Sequence, residues 1–266
     1  MRVHCADCKG FYCRVGTKEA APDHCPMHGD FPEFSELYPK GPAMDAMTHS
    51  AMVEAQGYCK WTRLREIVEF ATLMGYERIG LAHCPDMTAA AQAVGAALEH
   101  SGFTPILPPP SLVSDPVGQS KLMTTEGTDL CVLAGMCVPH EVLFIGATEA
   151  RVVGLIARDT RLCHNPVAAL YTSRSYLKAE LFGHWSPKNP QPSAKEDHAV
   201  LQNLSCSAGA GPGTIRSRVA EAMDVAQELG ARHIGVSFCV GFREEAKELT
   251  RVLETNGFTV SSVCCK

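Results

Sequence analysis

The chain has no long apolar run. A membrane helix needs about 20 consecutive apolar residues, and no stretch of the 266 residues approaches that, so no membrane association is expected. It has no basic excess either. The 24 Lys and Arg against 29 Asp and Glu leave a formal net charge of -5, without the positive footprint a nucleic-acid partner requires. The opening Met1-Arg2-Val3-His4-Cys5 lacks the apolar core of a signal peptide, which makes the cytoplasm the expected compartment. A glycine-rich dinucleotide turn is missing as well. The loop after the first predicted strand reads Cys84-Pro85-Asp86-Met87, which argues against NAD and its relatives. The one glycine-rich run, Ser207-Ala208-Gly209-Ala210-Gly211-Pro212-Gly213, follows no strand and no Gly-Lys-Ser/Thr closes it. It reads as a flexible linker.

What the chain has in abundance is cysteine, thirteen residues in all. An odd count in a long chain without an export signal points to reduced thiols serving as ligands or redox groups, not to a disulfide framework. Cys131 and Cys206, with Cys163, read as small buried hydrophobes. The densest group opens the chain: Cys5-Ala6-Asp7-Cys8, Cys13, then Cys25-Pro26-Met27-His28. This segment is too short and too polar to build a core, so an inorganic centre is expected to order it. Four thiolates suit tetrahedral zinc or an iron–sulfur cluster, and His28 can replace one thiol.

Behind the head, hydrophobic periodicity alternates. A short helix is predicted from Ala43 to Ala55. Leu64, Ile67, Val68, Ala71 and Leu73 recur at helical spacing up to Gly75, followed by a strand at Arg78–Ala82. A helix at Thr88–Ser101 and strands at Thr104–Leu107, Asp129–Ala134 and Val152–Ala157 follow. Alternating strands and helices imply a parallel sheet covered on both faces. There is also an internal repeat: with a shift of 155 residues, 62–104 align with 217–259 without a gap. Gly75 falls on Gly230, Ile79-Gly80 on Ile234-Gly235, Cys84 on Cys239, and Gly102-Phe103-Thr104 on Gly257-Phe258-Thr259. The expected organisation is a Cys-rich head (1–30), an α/β core domain (31–183), a linker (184–213) and a partial second copy of the α/β unit (214–266). The expected fold class is α/β, with a Rossmann-like parallel sheet and flanking helices.

In such sheets the ligand crevice lies at the carboxyl ends of the strands. Cys84 and Cys239 occupy matching strand ends. Cys137 with His140, and Cys163 with His164, follow two further strands. Parallel topology would gather Cys84, Cys137, His140 and His164 on one rim, as candidate catalytic or ligand groups. A helix amino terminus there favours a thiolate. Cys239 is the candidate from the second copy. Arg243, which adds positive charge after Cys239, and Asn165 are candidate cofactor-binding residues. Cys264-Cys265 close the second copy and can bind metal or accept sulfur. Cys59 lies just before the first helix of the repeat.

Several stretches together resemble an uncharacterised prokaryotic family labelled metal-binding protein (domain of unknown function 1847). They are the Cys5-to-Cys25-Pro26 head, Tyr58-Cys59-Lys60-Trp61-Thr62-Arg63, Gly135-Met136-Cys137-Val138-Pro139-His140, His164-Asn165-Pro166-Val167-Ala168-Ala169-Leu170, Phe238-Cys239-Val240-Gly241-Phe242-Arg243-Glu244-Glu245-Ala246 and Val263-Cys264-Cys265-Lys266. The resemblance implies metal binding and no stated reaction. The family's Phe-Cys-x-Gly and Val-Cys-Cys-Lys elements sit here in the second copy, and His83-Cys84-Pro85-Asp86 and Pro108-Pro109-Pro110 replace them in the first. The expected function is a metal-binding protein, iron–sulfur or zinc, with redox or sulfur-transfer chemistry at the rim. The alternatives are a metal carrier or sensor, and a small-molecule binder with a structural zinc. An electron or sulfur donor, a small molecule and a second copy of the chain are the partners these readings imply.

Overall fold

The structure is a computed structural model that describes residues 3–10, 12–15, 18–23, 25–28, 37–38, 40–183 and 215–265. The predicted linker 184–213, and Cys206 within it, lie outside the described residues. The chain divides into two compact units. One, the sheet unit, comprises Phe34–His164 and His198–Ile215; the other, the head unit, comprises Met1–Glu33, Asn165–Asp197 and Arg216–Lys266.

The sheet unit holds four parallel strands, β1 (Arg78–Ala82), β2 (Thr104–Ile106), β3 (Leu130–Met136) and β4 (Arg151–Ala157), in the order β2-β1-β3-β4. Every residue of the central β3 is buried, as expected of a parallel strand covered on both faces. Alternation along the strands separates two cores. On one face Ile79, Leu81, Leu130 and Val132 pack with Ile67 and Ala71 of a helix at Arg63–Leu73 (α3). Val94 and Leu98 of a helix at Thr88–His100 (α4) join the same cluster. On the other face Ala82, Cys131 and Leu133 pack with Met123 and Phe144. These come from helices at Pro116–Thr125 (α5) and Val138–Ala147 (α6). Gly80 admits that layer, since a Cβ there would stand 2.7 Å from the Met123 sulfur. A further helix, α2 (Pro42–Gly57), covers the predicted 43–55 segment and packs on α3.

The head unit begins with short 3₁₀ turns at Cys5–Asp7, Lys18–Ala20 and Pro26–His28, and a single helical turn at Tyr12–Val15 (α1). Its larger elements are α7 (Val167–Tyr171), α8 (Lys178–Phe182), α9 (Arg218–Glu228), β5 (His233–Cys239), α10 (Arg243–Thr255) and β6 (Thr259–Cys265). β5 and β6 pair in parallel.

The internal repeat is visible in the boundaries. α9 and α10 start and stop 155 residues after α3 and α4, and β5 and β6 start 155 residues after β1 and β2. The caps repeat too. Thr62 and Ser217 accept from the backbone N–H three residues on, the N-cap arrangement that satisfies an orphan donor. At the far ends Gly75 (φ 67°) and Gly230 (φ 68°) take the left-handed conformation. Tyr76 N–H donates to Ala71 O and Gly75 N–H to Thr72 O. Ala231 N–H to Ala226 O and Gly230 N–H to Gln227 O copy that paired closure.

Candidate metal centre

In the sheet unit β1 leads to one side, toward β2, and β3 to the other, toward β4. The strand order therefore reverses between β1 and β3, and open α/β sheets place ligands outside the carboxyl ends at that reversal. Cys84 follows β1 there and Cys137 follows β3. Two features bring them together. Cys84 N–H donates to Gly135 O at 3.0 Å. The β3–β4 register shifts on either side of Ala134, and Gly135 has φ +105°; such an irregularity re-aims the residues after it.

Cys137 is the N-cap of α6 and His140 stands three residues on, with Pro139 in the first turn. N-cap and N3 side chains face each other across a helix start, so Cys-x-x-His is a spacing that converges when it opens a helix. The Cys84 sulfur lies 3.8 Å from the Cys137 sulfur and 3.2 Å from His140 Nδ1. It also accepts the Cys137 backbone N–H at 3.3 Å. All three residues are buried, and their potential ligand atoms lie within 4.8 Å of one another. Two sulfurs bound tetrahedrally at about 2.3 Å stand about 3.8 Å apart, which is the separation seen here. A sulfur–nitrogen edge would be about 3.6 Å by the same geometry, so a bound ion requires a small outward swing of the His140 ring. The group can hold a metal ion.

Charge at the rim is arranged around this group. Arg158, just past β4, donates to Asp86 at 2.8 Å, and so spans the end of β3. Burial opposes its charge. The hydrogen bond and charge of Asp86, with thiolate charge at Cys84 and Cys137, outweigh that and hold the guanidinium above its ordinary range. The attraction is mutual, so Arg158 favours anionic sulfur. His83 is buried beside the site in sequence. Its Nδ1 is 3.4 Å from Leu81 O, Gln119 clamps its backbone on both sides, and its Nε2 has no hydrogen-bond partner. Burial, opposed only by the Leu81 carbonyl, lowers its affinity for a proton. Asp86, Arg158 and His83 were not singled out from the sequence; their strand-end positions were the available signal.

The remaining rim candidates separate from this group. Cys163 and His164 are exposed, with φ of 50° and 60°. The expectation that Cys163 is a buried hydrophobe fails because its turn closes on itself: His164 N–H donates to Asp159 O, and Asp159 N–H donates to His164 Nδ1. His164 is not part of the group within 4.8 Å. Cys131 is fully buried against Met123, as expected, and burial pushes its thiol up to about 11. Cys59 is exposed with φ 57°, in the turn before α3.

Asn165, Cys239 and Arg243 belong to the head unit. Asn165 O accepts from Ala168 N–H at the start of α7. Cys239 ends β5 opposite Cys265 of β6, and Arg243 opens α10 near Glu244. In the same unit Cys8 N–H donates to Cys5 O, and His28 N–H to Cys25 O. These two tight turns have the same form, each beginning with a cysteine. His28 is exposed and its Nε2 is 2.9 Å from Ala21 O. Burial first, then charge on Cys25, Cys13 and Cys8, raises the Cys5 thiol, opposed by a hydrogen bond from the Cys264 backbone. Burial pushes Cys264 up to about 11, helped by charge on Cys265, Cys5, Cys13 and Cys239. Among the described residues, no three of these thiols have all their sulfurs within 4.8 Å of one another.

A parallel α/β sheet with a buried Cys–Cys–His group at its switch point defines the class of protein. The sequence model of the family described as "Protein of unknown function (DUF1847)" matches residues 27–107, 109–155 and 187–266, and the chain belongs to that family. The matched segments include Cys84, Cys137, His140, Cys239, Cys264 and Cys265, and leave out the thiols from Cys5 to Cys25. An uncharacterised protein of Methanocaldococcus jannaschii, MJ0455, is 31% identical over 167 residues, covering 56% of this chain and 86% of the relative. No solved structure matches the chain. No helix among the described residues is long and apolar enough to cross a membrane.

Proposed function

We propose that the protein binds a thiophilic metal ion through Cys84, Cys137 and His140, and that this ion is its functional centre. The observation that carries the reading is the convergence of two thiols and an imidazole, all buried, at the switch point of the sheet. Two sulfurs and one imidazole nitrogen suit zinc or a similar borderline metal. The 3.8 Å sulfur–sulfur separation fits two ligands of one ion. In a [4Fe–4S] cluster each thiolate binds a different iron, so the separation favours two ligands of one metal ion over that type of cluster. Three protein ligands leave a fourth position for water or substrate, the pattern of catalytic rather than structural zinc. The charge of Arg158 favours the anionic form of the sulfurs that an ion requires.

Metal analysis of protein purified without oxygen tests this. The parent should keep one more equivalent of a soft divalent metal through gel filtration than Cys137→Ser keeps. Cobalt substitution should give sulfur-to-metal charge-transfer absorption. Cys84→Ser, Cys137→Ser and His140→Ala should each weaken binding by at least about tenfold, as losses around metal sites do. Unchanged binding in all three variants would overturn the assignment.

The 3.2 Å approach of Cys84 to His140 favours a second reading, in which the pair acts without metal as a thiolate–imidazolium nucleophile for sulfur transfer. Metal-free protein would then alkylate at Cys84 faster than at Cys163, with a rate that His140→Ala abolishes. If Cys84 is slower than Cys163, the second reading fails.

A further inference from the structure

The head unit collects most of the remaining cysteines, although they lie at opposite ends of the chain. The amino-terminal segment joins the edge of β6: His4 and Ser262 form a parallel bridge, and Ser262 N–H donates to Val3 O at 2.7 Å. Ala6 N–H donates to the Ser262 hydroxyl at 3.0 Å, and both residues are buried. This tether fixes where Cys5 falls. Cys264 lies two residues past Ser262 on β6, just as Cys5 lies one residue past His4. The Cys5-to-Cys8 turn follows directly, and it packs against β6 and α10. At the end of the two-stranded sheet, Cys239 and Cys265 are register partners.

We infer that the amino-terminal thiols and β6 form a second soft-metal centre, with Cys264 as the strand's ligand alongside Cys5, Cys8, Cys13 and Cys25. Three observations support it. A polar segment with almost no buried apolar side chains, only Ala6, Ala21 and Cys25 among its described residues, is held by backbone pairing that places its first thiol beside Cys264. The turn that opens with Cys5 packs against β6, the strand that carries Cys264, so cysteines from opposite ends of the chain share this region. Their spacing, wider than a closed site, suits ligands that an ion draws together as it binds. The centre is separate from the Cys84–Cys137–His140 group and does not depend on it.

The test is thiol mapping on the intact chain. Metal-free protein and protein loaded with zinc ion alone are treated with iodoacetamide under anaerobic conditions, and each cysteine is quantified by peptide mass spectrometry. Zinc should slow alkylation of Cys264 about tenfold or more, together with Cys5, Cys8, Cys13 and Cys25, because a metal-held sulfur is a poor nucleophile. Exposed Cys59 and Cys163 should not change. Protection at Cys84 and Cys137 reports the other centre independently. Cys264→Ser should abolish zinc protection of Cys5 while leaving that of Cys84 intact, and unchanged amide hydrogen exchange in β5 and α10 shows that the head unit of the variant folds. Head thiols protected while Cys264 reacts at its metal-free rate would overturn the inference, as would no protection at the head.

Discussion

At Gly135 the backbone must turn through a conformation that L side chains rarely adopt, and it must do so against Met87. The φ is +105°, and an added Cβ would stand 2.6 Å from the Met87 Cγ. Both obstacles act where Gly135 O receives Cys84 N–H and where β3 re-aims toward Cys137. Gly135→Ala should therefore cost roughly 2–4 kcal/mol, combining left-handed strain with overpacking. Metal affinity should fall in parallel. Urea titration and zinc binding measured on the same preparation check this; a variant as stable and as tight as the parent would show that the turn does not hold the site. The ligands themselves were legible in the sequence, because Cys84 and Cys137-x-x-His140 follow strand patterns and parallel strands align their ends. The third strand-end pair was legible in the same way and yet does not join. The left-handed turn at Cys163 and His164 leaves both residues exposed, and no residue type there signals that turn in advance.

At the scale of elements, the repeat was readable to the residue because capping chemistry is local. Thr62 and Ser217, Gly75 and Gly230, mark the ends of α3 and α9 by local bonds, and at Ser217 Glu180 adds a tertiary one. Helices α5 and α6 were missed. Each has a proline in its first turn, Pro116 and Pro139, and α6 is apolar on more than one face, so no clear helical period emerges. Element contacts also supply a titratable clamp. Glu248 of α10 pairs with Arg251 and accepts from Ser173 and Arg174 in the segment after α7. The Arg251 hydrogen bond chiefly, against burial and with Ser173 and Arg174, lowers the carboxyl to about 2 from 4.5. A carboxyl depressed in the folded state stabilises fully above its unfolded value, and that contribution is lost as pH falls from about 4.5 toward 2. Glu248→Gln should thus destabilise the head unit by about 1 kcal/mol near neutrality, the scale of partly exposed ion-pair networks. The difference from the parent should vanish in strong acid. Denaturant midpoints across pH measure it, and a constant difference at every pH would rule out the carboxylate as the cause.

For the molecule as a whole, the long-range assembly was the part the sequence did not disclose. The pairing of Val3 and His4 with Ser262 joins residues more than 250 apart, and pairings of that separation leave no local pattern. Composition did mark the chain as rich in potential metal ligands, and the proposed binding has a thermodynamic consequence. An ion that binds only the folded state stabilises it by mass action, by about 2.7 kcal/mol when free metal exceeds the dissociation constant a hundredfold. The sheet unit should gain this through Cys84, Cys137 and His140, whose ligand atoms are buried and are brought together only by the folded strand ends. Chelation should lower the midpoint of thermal unfolding, and re-addition of zinc should restore it in proportion to the logarithm of free zinc. In Cys137→Ser the part of that slope due to the sheet unit should be lost, and in Cys264→Ser the part due to the head unit. If both variants retain the full logarithmic dependence, the metal stabilises the protein from somewhere other than these two thiol groups.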